Sequence, residues 1–280
     1  MSLATARELV EAAARRSRAV PAFNVITLEQ AEAVVAGAED AGAGVLLQFS
    51  QNAIAFHAGF APVLAACREL AAAAGVPVGL HVDHVEDDEL ALAVIDRSDA
   101  LGVGSLMFDR ATLPYADNVA LTARIADAGR AADLWVEGEL GEVGGKDGAH
   151  APGVRTDPDE AVSFAAETGV DLLAVAVGSS HAMRAREAVL DLELIGRLAR
   201  AVPVPLVLHG SSGVPDAMLS DAVGAGIRKV NIGTVLGIVG TARLRHELAE
   251  RPDAVDPRSY LKGVRSATRD EVARLAAAVA

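Results

Sequence analysis

The sequence predicts a (β/α)₈ barrel, and three observations carry that expectation. Short apolar runs alternate with amphipathic segments eight times without a break. Capping residues open the amphipathic segments and glycines close them. Polar, titratable residues gather at the carboxyl ends of the apolar runs, where such barrels keep their chemistry. A doubly wound open sheet is the nearest alternative, but the Gly-x-Gly-x-x-Gly fingerprint expected after its first strand is absent. At roughly 150 residues per domain, 280 residues would suggest two domains. Barrels of about 250 residues are single units, however, so one catalytic domain over residues 1–280 is expected.

Taken in order, strands are expected at Ala19–Val25, Gly44–Ser50, Val76–His84 and Gly104–Asp109, then at Asp133–Gly141, Leu172–Gly178, Pro205–Gly210 and Arg228–Thr234. In Val78–His84, apolar Val78, Leu80 and Val82 alternate with Gly79, His81 and Asp83, so the two faces meet different surroundings. Helices are expected at Leu28–Ala41, Phe60–Ala74, Asp87–Ser98 and Tyr115–Ala131, then at Pro158–Thr168, Asp191–Ala201, Asp216–Ala225 and Val235–Ala249. Thr27 and Asp157 are placed to cap helices, with Pro158 at a first helical position. Gly42, Gly75, Gly129 and Gly169 sit where helices end. Glu86–Glu89 puts negative charge at a helix start, where the helix dipole favours it. Two stretches exceed the short connections. Residues 142–157, rich in glycine and charge, read as a mobile lid, and 251–280 as a C-terminal helical extension able to pack on a neighbouring subunit.

With 51% hydrophobic residues the chain can bury a sizeable core, and its net charge of -13 argues against nucleic-acid or anionic-membrane partners. Cys67, the single cysteine, reads as a small core residue. Neither a signal peptide nor an apolar run of spanning length is seen, so a cytoplasmic location is expected.

The strand ends hold the chemistry. Strand 1 ends in Asn24, strand 2 in Gln48 and Ser50, strand 3 in Asp83 and His84, and strand 5 carries Glu137 and Glu139. His181 follows strand 6, strand 7 runs into His209-Gly210-Ser211-Ser212-Gly213, and strand 8 holds Asn231 and Thr234. His57, His150 and His246 lie in loop or helical sequence and read as solvated, while His81 supports Asp83 two residues away. One histidine at a strand end is ordinarily structural; three of seven at one rim, beside a carboxylate, point to a metal. Three imidazoles leave a coordination position open, which fits catalytic zinc. The glycine-bearing turns after strands 7 and 8 offer backbone N–H groups and hydroxyls to a phosphate, the alternative being tight turns with capping hydroxyls.

These ordered blocks resemble the class II, metal-dependent fructose-bisphosphate and tagatose-bisphosphate aldolases over nearly the whole chain. The likeness runs through Val20–Asn24, Gln48–Ser50, His81–His84, Val136–Gly141, Gly144-Gly145, Ala174–His181, Leu206–Gly213, Lys229–Ile232 and Asp256–Leu261. It implies a zinc-dependent aldolase that reversibly cleaves a phosphorylated ketose, fructose 1,6-bisphosphate first, to dihydroxyacetone phosphate and an aldehyde. Position by position it implies His84, His181 and His209 as zinc ligands, Asp83 as the acid/base, and Glu139 as a carboxylate supporting the metal. Ser212, Asn231 and Thr234, with the backbone at Gly210 and Gly213, match the dihydroxyacetone phosphate site, where a monovalent cation, sodium or potassium, also binds. Asn24 and Ser50 match rim positions near the substrate, and Arg258 an arginine that reaches the second phosphate from a partner, implying a homodimer or homotetramer.

The chemistry agrees. A carbanion beside a ketone needs a sink for negative charge, which a Lewis-acidic zinc provides without a Schiff-base lysine. Lys229, the only lysine near a strand end, reads as lying at the start of strand 8, away from the mouth. Departures from the family pattern fall at Ala182 and Arg184 after His181, at Asp147 in place of a lid glutamate, and at Gly233 and Val235 in the last block. They touch the phosphate, cation and aldehyde regions and spare the zinc set. Competing readings are a tagatose-bisphosphate or other keto-sugar or sugar-acid aldolase, a non-catalytic aldolase partner subunit, and a barrel metallohydrolase. The last is disfavoured by the missing His-x-His signature.

Overall fold

A computed structural model describes residues 3–141, 154–180 and 185–280. Among them, eight parallel strands form a closed barrel in sequence order, β1 pairing with both β2 and β8. The strands are β1 (Val20–Asn24), β2 (Val45–Ser50), β3 (Val78–Val85), β4 (Val103–Phe108), β5 (Trp135–Leu140), β6 (Leu172–Val175), β7 (Leu206–Leu208) and β8 (Ile227–Ile232). The early helices are α1 (Ala6–Ala14), α2 (Leu28–Ala41), α3 (Gln51–Phe56), α4 (Ala61–Ala73), α5 (Asp88–Asp96) and α6 (Ser98–Leu101). The later ones are α7 (Tyr115–Ala131), α8 (Pro158–Thr168), α9 (Leu192–Ala201), α10 (Asp216–Ala225), α11 (Thr234–Glu250) and α12 (Pro257–Val279).

The predicted fold class is the one observed. Three helices were not foreseen. The first, α1, begins with a reciprocal capping box in which Thr5 and Glu8 satisfy each other's backbone N–H groups. Its Leu9 and Val10 then plug the amino-terminal end of the barrel. There they join Val20, Ala22, Leu46, Met107, Leu172, Ala174 and Val207, the inward residues of the lower strands. A second, larger core lies between the sheet and its ring of helices. The expected helix Asp87–Ser98 breaks at Arg97 into α5 and α6, and the short α3 follows β2 directly.

The expected C-terminal helix is present, and α12 buries Thr268, Val272, Leu275, Ala276 and Val279 against this chain's own barrel. Gly37 of α2 makes the close approach feasible, since a Cβ there would lie 2.6 Å from the Arg269 carbonyl. Arg265 pairs with Glu32 at 3.0 Å, and Arg269 with Asp40, along the same seam. Of the predicted lid, residues 142–153, with Asp147, lie outside the described residues, as do His181, Ala182 and Arg184. Among the described residues no helix is long and apolar enough to cross a membrane.

Candidate active site

The barrel interior changes character with height. Below, it is apolar on most strands; above, Asn24, Gln48, His81, Asp83, Glu137, Glu139, His209, Lys229 and Asn231 meet one another, while on β4 the order is reversed, polar Ser105 preceding apolar Met107. The two-residue period of a strand makes this column. His81 and Asp83, Glu137 and Glu139, and Lys229 and Asn231 are pairs two apart on β3, β5 and β8.

His84 would break that period, because adjacent strand residues point to opposite faces. The chain resolves this with backbone strain. The β3–β4 register shifts between Val82 and Val85, and His84 takes φ +49°, in the left-handed region that costs a non-glycine residue energy. Asp83 and His84 therefore both address the mouth. Asp109, next after β4, fixes the result, its Oδ2 2.9 Å from His84 Nδ1.

His209 follows β7 and is buried. Its Nε2 lies 2.8 Å from Glu137 Oε1, and its Nδ1 lies 3.0 Å from His84 Nε2. A carboxylate stands behind each ring, Asp109 at His84 Nδ1 and Glu137 at His209 Nε2, where Asn231 Nδ2 also lies at 3.1 Å, and the other two ring nitrogens face one another. Tetrahedral zinc, with Zn–N bonds of about 2.0–2.1 Å, would hold two such nitrogens about 3.3 Å apart. Glu139 Oε2 stands 3.8 Å from His209 Nδ1, and the ligand atoms of His84, Glu139 and His209 all lie within 4.8 Å of one another. The donor set thus fits a divalent cation, with each imidazole oriented by a carboxylate behind it. Glu139 stands within ligand reach, closer than the supporting place expected of it.

Asp83 lies beside this cluster, only 2% exposed. It accepts hydrogen bonds from Asn24 Nδ2 (2.9 Å) and Asn231 Nδ2 (3.2 Å). Burial alone would raise its carboxyl, but the imidazoles of His84, His81 and His209 hold it well below the usual carboxylate range. His81 supports it as expected, its Nε2 3.8 Å away and its Nδ1 2.7 Å from Ser105 Oγ. Burial and the charge on Lys229 keep His81 below its ordinary pKa, and burial lowers His209 to about 4.

The loops after β7 and β8 meet at one side of the mouth. Gly210 has φ +66°, and a Cβ there would lie 2.6–2.8 Å from the Ser180 backbone. Ser212 Oγ accepts from the Val235 N–H at 3.2 Å, and Ser211 Oγ donates to the Asn231 carbonyl. Gly233 has a local reason too, since a Cβ would stand 2.9 Å from Asn24 Oδ1. Thr234 and Val235 open α11, whose first turn carries no acidic residue.

Ser50, expected at the rim, and Arg258, expected at a partner's second phosphate, each make a local contact. Ser50 caps α3, accepting from the Ala53 N–H at 3.3 Å. Arg258, in the first turn of α12, is exposed and paired with Asp256 at 2.8 Å. Lys229 is the residue most misjudged. It is fully buried in the barrel interior, its Nζ 2.6 Å from Glu137 Oε2, so it stands behind the metal cluster and not apart from it. The roles of Asp109, Glu137 and Lys229 went unassigned; for Glu137 and Lys229 the signal was their position two residues before Glu139 and Asn231.

Known proteins share this arrangement's sequence and fold. The family model for fructose-bisphosphate aldolase class-II matches residues 4–279. The D-tagatose-1,6-bisphosphate aldolase subunit GatY of Klebsiella oxytoca is 35% identical over 279 residues, covering 98% of this chain and 96% of that one. The crystal structure of the YdjI aldolase from Escherichia coli K12 superposes with a TM-score of 0.81 at 31% identity, covering 97% of this chain and 95% of that one. A fructose-bisphosphate aldolase from Campylobacter jejuni, 21% identical, likewise has a TM-score of 0.81, over 98% of this chain and 94% of that one, and shows a shared fold. With a model match across almost its entire length, and with paired imidazoles at the barrel mouth, the chain belongs to the class-II fructose-bisphosphate aldolases, a family of zinc-dependent lyases.

Proposed function

We propose that this chain reversibly cleaves a phosphorylated ketose to dihydroxyacetone phosphate and an aldehyde, with zinc held by His84, His209 and, outside the described residues, His181. The observation that carries the reading is the pair of facing nitrogens, 3.0 Å apart and each backed by a carboxylate, with Asp83 beside them. Zinc bound there would supply a Lewis acid that takes up negative charge developing at a ketone oxygen. Asp83, held ionised, accepts the proton of the hydroxyl whose carbon leaves as the aldehyde, and returns it in the reverse direction. Asn24 and Asn231 aim that carboxylate.

The phosphate belongs at the β7 and β8 loops. Backbone N–H groups at the acid-free start of α11, with Ser212, suit an anion there. A monovalent cation beside that phosphate, and a homodimer or homotetramer in which Arg258 serves the second phosphate of a neighbouring site, complete the reading. Arg258's exposure at the start of α12 is compatible with such a reach. Fructose 1,6-bisphosphate and tagatose 1,6-bisphosphate, which differ only at C4, are the substrates to separate; the name of the 35% identical relative favours the second. Steady-state cleavage of both, and of a panel of other phosphorylated keto-sugars and sugar acids, should show turnover that a chelator abolishes and zinc restores. Inactivity on every member, or activity indifferent to chelation, would overturn the proposal.

A further inference from the structure

A strained turn brings Asp83 and His84 to one mouth, and a side chain from outside that turn holds it. Ser50, the last residue of β2, stands in register with Asp83. Gln51, the next residue and the first of α3, reaches past His84. Its Oε1 accepts from the Glu86 N–H at 2.9 Å and from the Asp87 N–H at 3.2 Å. Two donors converging on one amide require its oxygen, not its NH₂, to face them. Consecutive residues therefore grip the turn at Asp83 and again at Glu86 and Asp87. From the other side, the Asp109 N–H donates to the Val85 carbonyl at 2.9 Å. With both ends fixed, His84 takes up the bend at φ +49°. A non-glycine residue keeps such a backbone only where its surroundings over-determine it.

Gln51 also supplies a contact that α5 cannot make for itself. Asp87 is the N-cap, its side chain accepting from the Glu89 and Leu90 N–H groups. In a capping box, a Glu or Gln at the third helical position accepts from the N-cap N–H in return. Here that position is Leu90, so the Asp87 N–H goes to Gln51 of α3 instead. Water can satisfy an exposed N–H at a helix start equally well. A partner drawn from another element does something water does not, which is to fix where the chain lies.

We propose that Gln51 is a positioning residue: by gripping the Glu86 and Asp87 backbone, it imposes the left-handed bend that turns His84 toward His209. The inference rests on the metal reading above and deepens it. The test uses the full chain in wild-type form and in three variants. Gln51→Met keeps the length and removes the acceptor, while Gln51→Glu keeps an acceptor oxygen and adds a charge that the start of α5 favours. Thr5→Ala breaks the capping box of α1, outside the candidate site, and serves as a destabilised control.

Two readouts come from the metal-free protein: amide hydrogen exchange at Glu86 and Asp87, and the backbone shifts and HN–Hα coupling of His84, which report its φ. Two more are zinc affinity by chelator competition and thermal melting. Wild type should protect both amides and show the left-handed His84. Gln51→Met should exchange both amides faster, lose the left-handed signature, and bind zinc about 10–100-fold more weakly, the scale for lost support behind a ligand. Gln51→Glu should restore protection and zinc affinity toward wild type. Thr5→Ala should melt earlier and bind zinc as wild type does. Unprotected Glu86 and Asp87 amides in wild type would overturn the role of Gln51 while leaving the metal site standing. So would a Gln51→Met protein with an unchanged His84 and wild-type zinc affinity, or a Thr5→Ala protein that loses as much affinity. A wild-type protein that takes up no stoichiometric zinc, with its His84 bend and protected amides intact, would overturn the metal reading and with it the purpose assigned to the bend.

Discussion

Replacing Asp83 by asparagine isolates proton transfer from metal binding. In the structure the carboxylate accepts one amide hydrogen from Asn24 and one from Asn231, at 2.9 and 3.2 Å. An asparagine keeps the volume but turns an NH₂ toward one of those donors, so one of the two bonds is lost. Hydrogen bonds to a charged group contribute about 1.5–3 kcal/mol each, which is partly offset here by removing a buried charge. The melting temperature should therefore fall by no more than about 10 °C, at the usual 2–4 °C per kcal/mol for a chain of this size. Zinc content should stay at wild-type stoichiometry, because Asp83 is not among the proposed ligands and lies outside the cluster of His84, Glu139 and His209 found among the described residues. Turnover should fall about a hundredfold or more, the ordinary scale for losing a general acid/base, equivalent to about 2.7 kcal/mol of barrier. The assay couples released dihydroxyacetone phosphate to its reduction, alongside metal analysis and a thermal melt of the same preparation. A variant that keeps zinc, folds and turns over near the wild-type rate would remove Asp83 from the proton-transfer role.

His209→Ala removes the nitrogen that faces His84 at 3.0 Å, so it should lose stoichiometric zinc and activity together; zinc retained on metal analysis would take His209 out of the ligand set. Acidification should destabilise the metal-free protein in two steps. Burial depresses His209 from 6.5 to about 4, so the unfolded chain binds a proton that the fold refuses, and stability falls as pH drops through that window, by about 3 kcal/mol at its foot. Burial would raise Glu137, but Lys229 and His209 bring it from 4.5 to about 2; its stabilisation is complete above pH 4.5 and lost as pH falls through about 2. Urea melts at pH 7, 5.5 and 4 check the first step, and a midpoint that does not move would contradict the buried, neutral His209.

The parts of the molecule legible in the sequence are those governed by short-range rules. Strand and helix alternation, the caps at Thr27 and Asp157, and the polar residues at strand ends follow from local period and turn chemistry. What stayed hidden depends on three dimensions. The plug made by α1 is visible only once Leu9 and Val10 meet the lower strand residues. Lys229 read as remote because its place was judged along β8; its side chain in fact reaches across the barrel to β5. His84 escapes the alternation rule through a register shift that no local pattern announces. Ser50 carries two compatible signals, a strand end and a helix cap, and the fold uses both, closing β2 and capping α3.

The competing reading of a non-catalytic partner subunit must explain the upper half of the barrel. Buried polar groups cost free energy unless every partner is supplied, and ion pairs taken out of water rarely outperform apolar packing. The lower half of this barrel demonstrates the cheaper solution, with Leu46, Met107, Leu172 and Val207 filling the interior around the α1 plug. A subunit needing only a stable barrel could extend that filling upward. This chain instead stacks Lys229, Glu137 and His209 in line, orients His84 with Asp109, strains the His84 backbone, and holds Asp83 between two amides. Each contact fixes a hydrogen or a lone pair at a particular atom, which packing does not require and proton transfer beside a metal does.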